Sequence, residues 1–145
     1  MRAGFSGPKI GLSDKIPILN RNYKPYTIMF DFERLDVYQK AKQFNKDVYS
    51  FLRTSKTIDT VSKNQLRRAS LSIVLNIAEG SSRFSKPDRR NFLVISRGSA
   101  FECVAVLDVL KEETVLSPEE FKAFYGKADE LSRMLFRMIG NLTVN

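Results

Sequence analysis

The chain has 145 residues, 43% of them hydrophobic, and a formal net charge of +8 at neutral pH. That length fits one domain, and no apolar run approaches the roughly 20 residues of a membrane-spanning helix. Histidine is absent and Cys103 is the only cysteine, which excludes an internal disulfide and removes the usual general base and zinc ligands. We therefore predict a non-enzymatic, cytoplasmic protein without a cofactor, a metal or a membrane anchor, in which Cys103 is buried and inert.

Residues 1–28 differ in composition from the rest of the chain. They hold three of the five prolines, three of the seven glycines, five basic residues and one acid. Since no helical apolar period runs through them, residues 1–28 are predicted to be an irregular basic N-terminal arm, and residues 29–145 to form the folded domain. The arm could be simply flexible, could bind nucleic acid through its basic residues, or could dock onto a neighbour.

Two helices are predicted in the first half of the domain. The first has Asp31 as its cap, runs to about Arg53, and carries one apolar stripe: Val37, Tyr38, Ala41, Phe44, Val48, Phe51 and Leu52. A polar linker, Thr54 to Asp59, follows. The second helix is predicted from Ser62, because Ser62 and Gln65 match a capping box, and its apolar residues are Leu66, Ala69, Ile73 and Ile77.

A turn then separates the second helix from the third. Gly80 and the serines after it interrupt the apolar period, and Ser85 restarts a helix as a capping residue followed closely by Pro87. The third helix is predicted to end near Thr114 and to bury Phe92, Ile95, Ser99, Cys103, Val106 and Leu110. Because the link is so short, the second and third helices must lie antiparallel.

The fourth helix has the clearest start signal in the chain. Ser117 is the predicted cap, and a proline and two glutamates follow it. Its apolar residues alternate in fours and threes as a heptad seam: Phe124, Ala128, Leu131, Leu135, Met138 and Leu142. The predicted fold class is an all-α, up-down-up-down four-helix bundle. Gly98 and Gly126 lie within helices, where either close packing inside the chain or a subunit contact would explain them.

Positive charge is concentrated on the hairpin of the second and third helices. Residues 63–97 contain two acids and eight basic residues: Lys63, Arg67, Arg68, Arg83, Lys86, Arg89, Arg90 and Arg97. Four of them surround the turn, at a helix N-terminus that favours anions, and Arg67 and Arg68 lie about 25 Å away along the second helix. This asymmetry predicts one electropositive surface, on which the seven residues other than Lys63 bind phosphates. Alternatively, these arginines pair with acids across subunit interfaces or solvate the surface.

Three polar residues of the hairpin are predicted to be structural. If the chain folds back between Phe84 and Ser85, Glu102 faces Arg67 and Glu79 faces Arg90. Each acid would then be satisfied by an arginine, in preference to acid–base catalysis. Asn76, inside an apolar run, is predicted to cap or bridge helices through its amide. Phe84 is predicted to pack on Phe92, with stacking on an unpaired base as the alternative.

Three motifs of the hairpin occur in a fixed order: NIAEG at residues 76–80, Ser85-Lys86 at the turn, and GSxxE at residues 98–102. Together with the opening FERLDVYQKA at residues 32–41, they resemble the four-helix-bundle proteins encoded in bacterial 23S rRNA intervening sequences, also called the S23 ribosomal protein family. The resemblance covers roughly residue 29 to the C-terminus. It implies a bundle that assembles as a ring-like homo-oligomer, a homopentamer. Relatives include the accessory proteins of diversity-generating retroelements, which look like partners of nucleic acids and reverse transcriptases.

The charge pattern and the resemblance predict an oligomeric bundle that binds structured RNA or another nucleic acid through the basic surface of the second and third helices. Since no RNA-recognition, KH or zinc-finger signature is present, binding should be dominated by phosphate contacts and weakened by salt. The alternative is an oligomeric scaffold that recruits an acidic protein partner.

Overall fold

The computed structural model describes residues 30–143, in which four helices are joined by short links. They are α1 (Asp36–Thr54), α2 (Thr60–Ser81), α3 (Lys86–Glu112) and α4 (Pro118–Asn141). Each helix packs against the next along the chain, and α4 returns to contact α1. The all-α, up-down-up-down four-helix bundle is thus confirmed. The predicted N-terminal arm, residues 1–28, lies outside the described residues.

The helix starts follow the capping residues, with two differences from the prediction. Ser85 and Ser117 cap α3 and α4, each accepting a backbone N–H hydrogen bond at 3.2 Å. The cap of α2 is Asp59, whose carboxylate accepts the N–H of Ser62 at 2.9 Å, so the predicted Ser62 capping box is wrong. A 3-10 turn over Asp31–Arg34 precedes α1, because extended backbone at the buried Leu35 interrupts the helix there.

The core is built from one apolar stripe of each helix. The stripes predicted for α1, α2 and α4 are confirmed, whereas the stripe predicted for α3 is confirmed at Ser99, Cys103 and Leu110 but differs elsewhere. In α3, Leu93 and Leu107 are buried, and the predicted core residue Ile95 is 51% exposed. Apolar residues cover much of the circumference of α3, so its periodicity fits two faces about equally well.

Small residues let α2 and α3 approach closely. A Cβ atom on Gly80 would lie 3.0 Å from the Cβ of Phe92, closer than most real Cβ contacts. The buried Ser96 donates its hydroxyl to the Ile73 carbonyl at 2.9 Å, and the hydroxyls of Ser72 and Ser99 are 2.8 Å apart. The seam between these two helices is therefore both tight and hydrogen-bonded.

Gly98 and Gly126 have no such packing role. A Cβ atom on either residue would have no heavy atom of the described chain within 4 Å, leaving aside its two chain neighbours and the nearby backbone of its own helix. Of the two explanations left open by the sequence, close packing inside the chain is wrong for both positions. A contact with another subunit remains a prediction.

Cys103 is buried in the core, as predicted, and burial raises the pKa of its thiol to about 12, with the charge of Glu102 adding to the shift. Because the thiolate is the reactive form, we expect Cys103 not to react with an aromatic disulfide reagent at pH 8 until urea unfolds the protein. The Phe84→Cys variant is the control, since position 84 is 97% exposed and its thiol should react in the native state. Fast native labelling of Cys103 would contradict the buried position.

The raised pKa of Cys103 makes the stability of the protein depend on pH. The folded thiol keeps its proton above the ordinary pKa of 9.0, where the unfolded thiol ionises. The contribution of Cys103 to stability is therefore fully present below about pH 9 and is lost as the pH rises towards 12. Urea unfolding at increasing pH should show a shallower decline for Cys103→Ala than for the wild type.

Candidate nucleic-acid interface

Hydrogen bonds at both ends hold the connection between α2 and α3 in place. The hydroxyl of Ser82 donates to the Glu79 carbonyl at 2.7 Å, and the N–H of Arg83 donates to the Gly80 carbonyl at 3.2 Å. On the other side, Ser85 caps α3 and its hydroxyl donates to the carboxylate of Asp88 at 2.6 Å. The side chains of this turn consequently project from a backbone that is fixed on both sides.

Arg83 occupies the inner part of the turn. Its guanidinium forms an ion pair with Glu79 and lies 4.5 Å from the ring centre of Phe92. Its carbonyl accepts a hydrogen bond from the guanidinium of Arg89 at 3.1 Å. The sequence predicted that Glu79 faces Arg90. That pairing is wrong, because Glu79 forms its ion pair with Arg83, which lies one helical turn after it in the chain.

Three cations at the start of α3 complete the turn. Lys86 and Arg89 are exposed, Arg90 is half-buried, and none of the three forms an ion pair within residues 30–143. They lie in the first turns of a 27-residue helix, whose dipole is positive at that end. We call Arg83, Lys86, Arg89 and Arg90 the basic turn. Its free positive charges can attract an anion such as phosphate.

The other predicted basic residues point elsewhere. Arg67 donates its Nε–H to the Tyr49 hydroxyl of α1 at 2.9 Å, while Arg68 is exposed on α2. Arg97 lies against two rings, 4.8 Å from the centre of Phe101 and 5.3 Å from that of Phe136 on α4. The structure thus brings four of the seven predicted residues together and turns Arg67 and Arg97 towards different neighbouring helices.

The predicted structural polar residues lie along the seam of α2 and α3. Glu102 accepts a hydrogen bond from the side chain of Gln65, so the predicted Glu102–Arg67 pair is wrong. Asn76 donates to the carbonyl of Ser72 at 2.8 Å and to its hydroxyl at 3.0 Å. Since the Ser72 hydroxyl in turn contacts Ser99, Asn76 supports the bridge between α2 and α3 through Ser72 and is not a cap.

Sequence reasoning missed a set of exposed apolar side chains. Leu75 on α2 is 54% exposed, and Ile95 and Phe101 on α3 are 51% and 55% exposed. We call six of the exposed apolar residues of α2, α3 and α4 the outer apolar residues: Leu71, Leu75, Val94, Ile95, Phe101 and Phe136. The signal was present in α3, whose apolar residues outnumber those that one buried stripe can hold.

None of the four helices is long and apolar enough to cross a membrane, a finding that applies to residues 30–143. Among proteins of curated function, none matches this chain. The chain is similar in fold to the crystal structure of a protein of unknown function from the S23 ribosomal protein family of Bacteroides thetaiotaomicron. The two share 23% identity with a TM-score of 0.68, over 71% of this chain and 97% of that one.

The family model for the 23S rRNA-intervening sequence protein matches residues 33–137, a span that includes most of the bundle and the whole basic turn. The motifs of the hairpin and the opening of α1, which carry the resemblance in the sequence, lie inside or across the start of that span. This chain therefore belongs to the 23S rRNA-intervening sequence protein family.

Proposed function

We propose that this protein is a non-enzymatic, oligomeric bundle that binds structured RNA through the basic turn. The observation that carries the proposal is the state of Lys86, Arg89 and Arg90, which form no ion pair within the described residues although two acids lie nearby in sequence. Glu79 forms an ion pair with Arg83, and the carboxylate of Asp88 accepts a hydrogen bond from the hydroxyl of Ser85. The three cations are therefore available to phosphates.

The chemistry of the basic turn suits a nucleic-acid backbone. Three of its four residues are arginines, whose planar guanidinium matches a phosphate with two parallel hydrogen bonds. No helix of the described chain presents a known base-reading motif, so recognition would depend on phosphate positions and RNA shape. The family description, which refers to 23S rRNA, supports RNA over DNA. Such binding is compatible with the cytoplasm and needs no membrane.

The proposed oligomer rests on the outer apolar residues. They are spread over three helices, and Gly98, where no atom of the described chain would approach an added Cβ, lies between Ile95 and Phe101 in sequence. Exposed apolar side chains in such numbers are typical of subunit contacts. The family resemblance favours a homopentamer. Several basic turns on one oligomer would raise the avidity for a long RNA.

We expect Ile95→Glu to convert the oligomer into a folded monomer, because a carboxylate at a buried subunit contact loses its hydration. Val61→Glu is the matched control: Val61 is 75% exposed at the start of α2, and its replacement should leave the mass unchanged. Light scattering after size exclusion gives the mass, and circular dichroism checks the helices. A monomeric wild type, or an unchanged Ile95→Glu oligomer, would count against this contact.

The direct test of RNA binding is fluorescence anisotropy with a labelled RNA hairpin over a series of salt concentrations. The proposal requires binding at low salt and a linear fall of log affinity with log salt, at about 0.7 to 0.9 per phosphate contact. A protein scaffold that recruits an acidic partner would show no RNA binding even at low salt. It would instead yield a folded acidic protein in cross-linked complexes.

A further inference from the structure

The most exposed large apolar side chain of the described bundle is at the tip of the basic turn. Phe84 is 97% exposed. The predicted packing of Phe84 on Phe92 is wrong, because the guanidinium of Arg83 already covers that ring at 4.5 Å. Phe84 is left with its ring in solvent, although an apolar ring of this size would gain from burial.

The position of Phe84 is fixed by its neighbours. Ser82 and Arg83 are tied to the last turn of α2 by hydrogen bonds of 2.7 and 3.2 Å, and Ser85 is the N-cap of α3. Only Phe84 lies between these anchored residues. Because the backbone is held, only the rotamers of the ring itself remain to be ordered when a partner binds, which favours a stacking platform.

The charges around Phe84 indicate the chemistry of its partner. Arg83 precedes it, and Lys86, Arg89 and Arg90 follow within six residues. Of the two acids in the same stretch, Glu79 is paired with Arg83 and Asp88 accepts from Ser85. An exposed aromatic ring followed closely in the chain by three cations without an ion pair in the described residues matches the way proteins bind single-stranded nucleic acid, since bases stack on the ring while cations hold the backbone.

We infer that Phe84 stacks on an unpaired base of the bound RNA, while the basic turn holds the phosphates beside that base. This inference rests on the proposed function and narrows its substrate class. The preferred RNA would contain an unpaired nucleotide in a loop, a bulge or an end, because a continuous A-form helix hides its base faces. Stacking is tolerant of base identity, so the site selects for an unpaired base more than for a sequence.

The test uses the full chain, two RNAs and three variants. One RNA is a hairpin with a large unpaired loop, and the other is a blunt duplex with the same stem. Phe84→Ala should weaken binding to the loop hairpin by about tenfold or more and leave binding to the duplex unchanged. Phe84→Leu, which keeps apolar bulk without an aromatic face, should behave like Phe84→Ala. Phe84→Trp should bind the hairpin at least as tightly as the wild type.

Phe84→Trp also reports stacking directly, because the chain contains no other tryptophan. Its emission should be that of a solvent-exposed indole in the free protein and should be quenched by the loop hairpin but not by the duplex. If the wild type binds the hairpin but Phe84→Ala binds it equally well, the stacking role is overturned and the proposed function stands. If the wild type binds neither RNA, both fail. If the indole is already buried without RNA and Phe84→Ala dissociates the oligomer, Phe84 is a subunit contact and the inference is wrong.

Discussion

Reversing the charge of three residues, in the variant Lys86→Glu/Arg89→Glu/Arg90→Glu, is expected to reduce the affinity for an RNA hairpin by about 100-fold at moderate salt. Three phosphate contacts would be lost, so the slope of log affinity against log salt should fall by about 2 to 3. The fold should survive, since none of the three side chains belongs to the core, and an acid at position 86, in the first turn of α3, interacts favourably with the helix dipole. Anisotropy titrations give the affinity and the slope.

The control is a second triple variant, Lys46→Glu/Lys56→Glu/Lys122→Glu. These three lysines are exposed, lie outside α2 and α3, and form no ion pair within the described residues. Each triple variant removes three positive charges and adds three negative ones, so the formal net charge falls from +8 to +2 in both. Equal loss of affinity in the two variants would mean that overall charge, and not the basic turn, attracts the RNA.

Replacing Gly80 by valine is expected to cause the largest loss of stability among the glycine substitutions. An added Cβ would lie 3.0 Å from the Cβ of Phe92 and 3.4 Å from the Arg89 carbonyl oxygen, where α2 and α3 meet. Neither neighbour is the flexible end of a side chain, so the two helices must separate. Overpacking of this kind costs about 2 kcal/mol, more than the gain in helix propensity from glycine to valine, which is less than about 1 kcal/mol. Urea unfolding at a fixed protein concentration measures the difference.

Gly140→Val is the matched control for Gly80→Val. A Cβ atom at position 140 would have no heavy atom of the described chain within 4 Å, leaving aside its two chain neighbours and the nearby backbone of its own helix. The substitution should therefore leave the protein at least as stable as the wild type, because valine has a higher helix propensity than glycine. A stable Gly80→Val variant would contradict the close approach of α2 and α3. It would also remove the explanation for the glycine in the NIAEG motif.

The fold could be predicted from the sequence because its signals are local. Ser85 and Ser117, each followed by proline within two residues, start helices in any context, and the stripes of α1 and α4 have one apolar face each. For α3 the prediction failed at Ile95 and missed Leu93, since the choice between two apolar faces depends on which helix lies beside it. Tertiary packing makes that choice, and periodicity does not encode it.

The candidate site was predictable where its residues are close together in the sequence. The basic turn is continuous in sequence, so its four cations were certain to lie near one another once the hairpin formed. Arg67 and Arg97 lie inside helices, where packing against other helices decides the neighbour. Arg67 contacts Tyr49 instead of the predicted Glu102, and Arg97 lies against Phe136. The exposure of Phe84 could not be predicted either, because it depends on the guanidinium of Arg83, which packs on the ring of Phe92 in place of Phe84.

The central claim is that RNA lies on the basic turn, and ultraviolet cross-linking of the full chain to an unmodified RNA hairpin, followed by mass spectrometry of the peptides, tests it most directly. We expect nucleotide adducts on the peptides that span residues 83–92, with Phe84 among the modified residues. Adducts confined to the N-terminal arm, α1 or α4 would contradict the claim and place the RNA on another surface of the protein.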